Sequence, residues 1–188
     1  MRRIVLVLTA VLTMATGCHY RAGAAISGIM SLSSTVDTDN PILVDAWGRV
    51  DSGIVQIEAS YGYSTYTYDY ETLTTTEQAD LDVFPLILTA RIALGNPRAR
   101  GVRKLWLAGA GAVFNTNSDT DIGSLSEDDV DAFRFSVGHE WDAGKLLVLV
   151  EGVYQEASEI VADGVDFVEA VEIKLSGSIL RICVGARF

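Results

Sequence analysis

The chain has 188 residues, a formal net charge of −11 and a mean hydropathy of +0.27. The acidic balance excludes binding to nucleic acid through neutralised phosphates, and only two cysteines argue against a disulfide framework. Positive hydropathy combined with this charge implies that apolar and acidic residues are segregated along the chain.

The first 17 residues have the pattern of a secretory signal. Arg2 and Arg3 precede an apolar run over 4–15, and small residues follow up to Gly17. The run is too short to cross a bilayer as a helix, so the pattern predicts export and cleavage. We therefore expect a signal peptide over 1–17 and a single domain over 18–188.

Cleavage after Gly17 makes Cys18 the first residue of the exported chain. The segment Ala15-Thr-Gly-Cys18 resembles the bacterial lipoprotein box, which usually carries leucine where Ala15 stands. Two alternatives stay open: a lipid attached to Cys18, or an ordinary cut by signal peptidase in front of a cysteine.

Eight segments alternate apolar and polar residues between turn residues and therefore predict β-strands. In chain order they cover 21–32, 42–50, 54–68, 82–95, 103–115, 130–141, 145–155 and 172–188. Short turns such as Asp51-Ser-Gly53 alternate with long, polar and mostly acidic connections. This alternation predicts an all-β fold, an eight-stranded antiparallel up-and-down transmembrane barrel with short turns at one end and long loops at the other.

Each strand presents one apolar face, which we expect to meet lipid. Phe133 and Phe135 oppose Arg134 in the sixth strand, and in the fifth we assign Trp106 and Phe114 to the lipid-facing side. Aromatic residues on these faces predict two interfacial girdles. The periplasmic girdle contains Trp106, Trp141 and Phe188, and the outer girdle contains Tyr61, Tyr63, Phe84, Phe114, Phe133 and Tyr154.

Two groups of aromatic residues leave alternatives open. Trp47 shares a strand face with Asp45 and Arg49, so either that strand is bulged or Trp47 points inward. Tyrosines at 66, 68 and 70 lead into the second long loop, where they either contact a partner or cap the rim of the barrel.

The last strand alternates apolar residues with charged and small ones and stops at an aromatic residue. Together with 80–94 and 105–114, the closing Val184-Gly-Ala-Arg-Phe188 resembles small outer-membrane β-barrel domains of the eight-stranded OmpX and OmpA-transmembrane type. The resemblance implies a location in the outer membrane of a Gram-negative bacterium, with outer-membrane lipids and the barrel-assembly machinery as partners. It also implies an assembly signal formed by Leu180, Ile182, Val184, Ala186 and Phe188.

Side chains fill the interior of an eight-stranded barrel. The candidates for a polar network in the lumen are Glu58, Arg91, Arg134, Glu140, Glu151, Arg181 and Arg187. Opposite charges should pair there, because an unpaired buried charge costs several kcal/mol. We expect inward glycines to make room for these long side chains, namely Gly62, Gly109, Gly111, Gly138 and Gly185. A closed polar core is favoured over an ion path.

The loops and histidines do not predict a metal site, a cofactor or catalysis. Acidic residues between 119 and 131 lack the spacing of an EF-hand loop, and they read as solvated loops. His139 has Val137 and Trp141 two residues away, so no serine shares its strand face in the arrangement that lipid A deacylases use.

These observations predict an outer-membrane barrel with a structural or surface-interaction role, or at most limited passage of small solutes. The surface partner is left unspecified by the sequence. The alternative is a periplasm-facing soluble lipoprotein whose barrel binds a small apolar ligand. That alternative explains Cys18 and the alternating strands, but not Phe188 or the charged faces opposite the apolar ones.

Overall fold

The computed structural model describes residues 19–32, 42–52, 54–94, 103–118, 123–125, 129–164 and 167–187. The strands are β1 (His19–Leu32), β2 (Ile42–Asp51), β3 (Val55–Glu71), β4 (Thr76–Leu94), β5 (Arg103–Ser118), β6 (Gly123–Leu125), β7 (Asp129–Ala143), β8 (Leu146–Ala157), β9 (Glu159–Gly164), β10 (Val171–Lys174) and β11 (Gly177–Arg187). The described part of the chain contains no apolar helix of membrane-spanning length. The predicted signal peptide, Cys18 and Phe188 lie outside the described ranges.

Eight of the strands close into an antiparallel barrel in the order β1-β11-β8-β7-β5-β4-β3-β2. Strands that follow one another around the barrel also follow one another along the chain, and β1 closes the barrel by pairing with β11. The predicted eight-stranded up-and-down barrel is confirmed. The remaining strands β6, β9 and β10 form a separate three-stranded sheet.

Some strand boundaries differ from the prediction at the end of the barrel where the long loops were expected. The β3–β4 hairpin runs past the expected boundary, with paired residues as far as Glu71 and Thr76. The predicted strand 172–188 is two strands, because β10 pairs with β9 whereas β11 belongs to the barrel. We did not predict β6 and β9.

The β3–β4 extension has polar residues on its outer face, unlike the strands below it. Thr67 donates a hydrogen bond to Asp80 at 2.8 Å, and Gln78 donates one to Asp69 at 2.9 Å. The tyrosines at 66, 68 and 70 point inward and are almost fully buried. The alternative that these tyrosines contact a partner is therefore wrong. They form part of the core instead.

Short turns lie at the opposite end of the barrel, beside the first residues of β1 and the last residues of β11. Gly144 has a φ of +82°, the left-handed conformation that glycine adopts without steric cost. Its backbone N–H donates to Asp142 Oδ1 at 3.0 Å, which closes the β7–β8 turn. We call this the lower end and the opposite end the upper end.

Large apolar side chains cover the outside of the barrel between these ends. Leu88 is 62% exposed and Phe133 is 68% exposed. Others that are exposed are Tyr20, Ile26, Val44, Ile57, Tyr61, Tyr63, Leu86, Ile92, Leu107, Phe135, Val137, Tyr154, Ile182 and Val184. We call this surface the apolar band. Soluble monomers rarely expose contiguous apolar patches of this extent.

The predicted orientation of β5 is wrong. Trp106 and Phe114 point inward and are buried, so neither belongs to an interfacial girdle, and Leu107 on the opposite face is exposed. Gly109 and Gly111 also face outward. Both faces of β5 carry apolar residues because the interior is itself apolar near each end, so alternation alone could not orient this strand.

Two apolar clusters fill the interior, one towards each end. The upper cluster contains the three tyrosines with Leu81, Val83, Phe114, Val130, Ile160, Ile173, Leu175 and Ile179 among others. The lower cluster contains Ala25, Trp47, Trp106, Leu147, Leu149 and Cys183. Charged side chains occupy the space between and below them.

Trp47 points inward, and β2 pairs in continuous register with both neighbours, so the bulge alternative is wrong. The Arg49 guanidinium carbon lies 4.7 Å from the centre of the Trp47 ring, a cation–π contact. A Cβ added at Gly185 would overlap the same ring. Gly185 therefore makes room for Trp47, whereas Gly62 and Gly138 make room beside Asp45 and Glu151 as predicted.

Substituting Gly185→Ala should lower the free energy of unfolding by about 1–3 kcal/mol, because the tightly packed Trp47 ring has to move. Urea unfolding of the folded barrel measures the change. Gly109→Ala is the matched control, because a Cβ there meets nothing within 4 Å. Equal effects of the two substitutions would contradict the packing described, and Gly185→Ala should cost less when Trp47 is already replaced by leucine.

Candidate functional site

The interior of the barrel contains a set of ten buried, charged side chains. Five arginines and five carboxylates there are each at most 5% exposed: Arg21, Arg49, Arg91, Arg134, Arg181, Asp45, Asp51, Glu58, Glu140 and Glu151. They come from β1, β2, β3, β4, β7, β8 and β11. We call this set the lumen network.

Glu58 on β3 lies at the centre of the network. Its Oε2 accepts from Arg49 Nη2 at 2.6 Å, and its Oε1 accepts from Arg181 Nη1 at 2.8 Å. Arg91 Nη1 lies 3.0 Å from Oε2. One carboxylate thus joins arginines from three other strands.

Glu151 on β8 forms the second junction. Arg91 holds it with two parallel hydrogen bonds, from Nε to Oε1 at 2.8 Å and from Nη2 to Oε2 at 2.9 Å. This paired geometry is the strongest arrangement of guanidinium and carboxylate. Arg181 Nη1 and Ser136 Oγ also donate to Glu151, at 3.2 and 3.3 Å. Arg181 in turn donates to Asp45 Oδ1 at 2.6 Å.

The network continues to the lower end through Arg49 and Glu140. Arg49 Nη1 donates to Glu140 Oε2 at 2.8 Å, and Gln56 Nε2 donates to the same oxygen at 3.2 Å. Arg21 Nη2 donates to Asp142 at 2.7 Å and lies 3.4 Å from Asp51. A continuous chain of ion pairs therefore runs from the lower mouth to the middle of the barrel.

The structure brings together five of the seven predicted lumen residues in ion pairs: Glu58, Arg91, Glu140, Glu151 and Arg181. Arg134 is buried in the same interior but has no ion pair with a described carboxylate. The side chain of Arg187 lies outside the described part of the chain.

Sequence reasoning missed Arg21, Asp45, Arg49 and Asp51. Three of them occupy alternate positions of β2 together with Trp47, opposite Val44 and other outward residues. The alternating charges were the available signal. The large apolar ring of Trp47 among them left two alternatives open, a bulge in the strand or an inward tryptophan, so β2 was not oriented from the sequence.

The lumen network can cross-link strands, but it offers no reacting group. The carboxylates are held by arginines, and arginine does not lose its proton in proteins. Within the described ranges, no group of three or more His, Cys, Asp or Glu residues could hold a metal ion. His139 faces outward, with its ring centre 4.6 Å from that of Trp141.

The upper end of the barrel is closed by the three-stranded sheet. Ile160 of β9 and Ile173 of β10 are buried in the upper cluster, as is Leu175, whose carbonyl accepts from Gln155 Nε2. Ser158 N donates to the Asp131 carbonyl at 3.1 Å, which ties this sheet to β7. On the exposed side of the three-stranded sheet, the hydrogen bond to Glu159 raises the pKa of Lys174.

Asp82 and Asp129 are carboxylates that lie at the upper end, above the apolar band. Asp82 accepts from Tyr63 at 2.8 Å and from Thr65 at 2.9 Å, and Asp129 accepts from Asn115 at 3.0 Å. Their partners here are neutral donors, so these contacts bring no positive charge to the carboxylates. Most of the acidic loop 119–131 lies outside the described residues.

Comparison with known proteins identifies the fold. No protein-family model matches the chain, and no curated protein sequence does. The crystal structure of Neisserial surface protein A (NspA) is similar, with 11% sequence identity, a TM-score of 0.55, and coverage of 92% of this chain and 96% of that one. The N-terminal β-barrel domain of Pseudomonas aeruginosa OprF aligns with 12% identity, a TM-score of 0.49, and coverage of 92% and 98%.

Proposed function

We propose that this chain is an integral outer-membrane barrel of a Gram-negative bacterium, with a structural or surface-interaction role and no catalysis. The observation that carries the proposal is the apolar band, which surrounds a barrel whose interior buries the ten charged side chains of the lumen network. This is the reverse of the arrangement in a soluble protein, and a bilayer is the solvent that it fits.

The height of the apolar band supports this proposal. Outward residues of β4 run from Phe84 to Leu94, and ten strand residues tilted by about 45° rise roughly 24 Å. Membrane barrels carry apolar bands of about 25 Å. Tyr63 and Tyr154 lie at the upper border, and Tyr20 lies at the lower border.

The ends of the barrel support an orientation. Bacterial outer-membrane barrels have short turns on the periplasmic side and longer loops outside. In that orientation the lower end, with Gly144, the start of β1 and the end of β11, faces the periplasm. The capped upper end and its carboxylates face the exterior, where they offer an acidic surface to a partner.

We propose that the lumen does not conduct ions and that passage of small solutes is at most limited. The lumen network and the two apolar clusters fill the interior. Two small interior cavities lie between described residues, each with room for about one water molecule. The same filling argues against the soluble lipoprotein alternative, which needs an interior site for an apolar ligand.

Electrophoresis of isolated outer membranes in SDS, with and without boiling, tests the proposal. A closed membrane barrel resists SDS until heated, so we expect different migration in the two samples. Absence of a shift, with release of the protein by salt or mild detergent, would favour the soluble lipoprotein. Purified protein in a planar bilayer should give no steady conductance, and a reproducible open level would overturn the closed lumen.

We also propose that the outward residues of β11 and the terminal Phe188 carry recognition by the barrel-assembly machinery. Leu180, Ile182 and Val184 are exposed on the outer face of β11. Deleting Phe188 should leave the protein exported but poorly inserted, measured by fractionation and by the heat-dependent gel shift. Phe188→Tyr, which keeps the aromatic ring, is the control, and unchanged insertion of the deletion would refute the assignment.

We also propose that a lipid is attached to Cys18. Cys18 directly precedes β1 in sequence, so in the proposed orientation an attached lipid would enter the periplasmic leaflet. Intact-mass measurement of the mature protein distinguishes a lipidated Cys18 from a free one, and it also tests cleavage after Gly17.

A further inference from the structure

Arg134 differs from the other arginines of the lumen network. It lies on β7, points inward and is 5% exposed. Among the described residues, its Nε and Nη2 have no hydrogen-bond partner. Arg21, Arg49, Arg91 and Arg181 each pair with at least two carboxylates. A buried guanidinium without a direct carboxylate partner is costly, so Arg134 requires a compensating partner.

A small interior cavity lies beside Arg134. Its polar lining consists of Thr89, Arg91, Arg134, Ser136, Glu151 and Arg181. Three of these groups are guanidinium cations and one is a carboxylate. That carboxylate, Glu151, is already engaged by Arg91 at 2.8 and 2.9 Å and by Arg181 at 3.2 Å. The walls of the cavity are therefore net positive.

We propose that this cavity binds a small inorganic anion of halide size, such as chloride, with Arg134 as its principal ligand. The cavity has room for about one water-sized group, which excludes phosphate, sulfate and carboxylate metabolites. Arg134 Nε and Nη2 supply two donors, and the Thr89 hydroxyl on β4 supplies a third. An anion there neutralises the one arginine that the carboxylates of the network leave unpaired.

Anomalous diffraction from crystals of the folded barrel in sodium bromide tests this site. The expected result is a bromide peak in the cavity within about 3.5 Å of Arg134 Nε or Nη2. A peak is expected to be absent in Arg134→Met and present in Lys145→Met, which removes an exposed positive charge at the β7–β8 turn. Wild-type crystals without a peak, or a peak that persists in Arg134→Met, would overturn the proposal.

Stability in chloride provides a second readout in solution. At a chloride concentration ten times the dissociation constant, the unfolding equilibrium constant should fall about tenfold relative to gluconate at equal ionic strength. Lys145→Met should respond like the wild type, and Arg134→Met should not respond. An identical chloride response in all three proteins would show general salt stabilisation and refute a site at Arg134.

Discussion

Replacing Glu58 with glutamine is expected to lower the free energy of unfolding of the barrel by about 3–5 kcal/mol. Glu58 accepts hydrogen bonds or ion pairs from Arg49, Arg91 and Arg181 at 2.6 to 3.2 Å. Glutamine keeps the shape but removes the charge, and its amide group brings a donor towards these cations. Urea unfolding in lipid vesicles, monitored by fluorescence, measures the loss.

The control for Glu58→Gln is Glu156→Gln. Glu156 is exposed on the outer face of β8 and accepts a hydrogen bond from Tyr154, so its replacement should change stability by less than about 0.5 kcal/mol. In a double-mutant cycle, Arg181→Gln should cost less in the Glu58→Gln background than in the wild type, because the 2.8 Å contact between the two side chains is already lost. A Glu58→Gln barrel as stable as the wild type would contradict the central role of Glu58.

Replacing Leu88 with arginine is expected to destabilise the membrane-inserted barrel by about 2–4 kcal/mol, because it places a cation near the bilayer midplane. Leu88 is 62% exposed and lies in the middle of the outward face of β4. In a soluble protein, the same substitution at an exposed site would be nearly neutral. Folding into phospholipid vesicles at increasing urea measures the difference.

Leu94→Arg is the matched control for Leu88→Arg. Leu94 faces outward at the lower end of the same strand, where arginine should cost only about 0–1 kcal/mol. A larger loss of stability in Leu88→Arg than in Leu94→Arg would support the membrane barrel. Two nearly neutral substitutions would instead favour the soluble lipoprotein alternative.

Strand number, connection order and most side-chain directions could be predicted from the sequence. In β7, Phe133 and Phe135 alternate with Arg134, and in β11 Ile182 and Val184 alternate with Arg181. A charged residue cannot face lipid at these depths without a large cost, so one charge orients the whole strand.

Strands without that signal could not be oriented correctly. In the central part of β5, the faces carry Trp106 and Phe114 on one side and Leu107 and Val113 on the other, without a charge to separate them. The upper sheet escaped prediction for another reason. Strands β6 and β9 have three and six residues, too few to show a period, and they pair across a long stretch of sequence.

The sequence predicts which residues point into the lumen better than it predicts which of them form ion pairs with one another. Alternation places Glu58 and Arg134 inside the barrel, but which charges meet depends on the stagger between neighbouring strands. The register places Arg49 directly opposite Glu58 and Arg181 directly opposite Glu151. Arg134 lies opposite Ala110 on one side and Gln155 on the other, so neither adjacent strand supplies it with a counter-charge.

The seam between β1 and β11 has a consequence for the order of folding. It pairs Arg21 with Arg187 and so joins the first and last strands of the barrel, whereas the other strand pairs of the barrel join strands that are consecutive among the eight. Loop-closure entropy grows with the length of chain between contacting residues, so we expect hairpins such as β3–β4 to form before the seam. Pulsed hydrogen exchange that protected seam amides before those of β3–β4 would contradict this order. A chain still being made therefore has no closing strand, and until β11 arrives the free edge of β1 needs protection from pairing with other molecules.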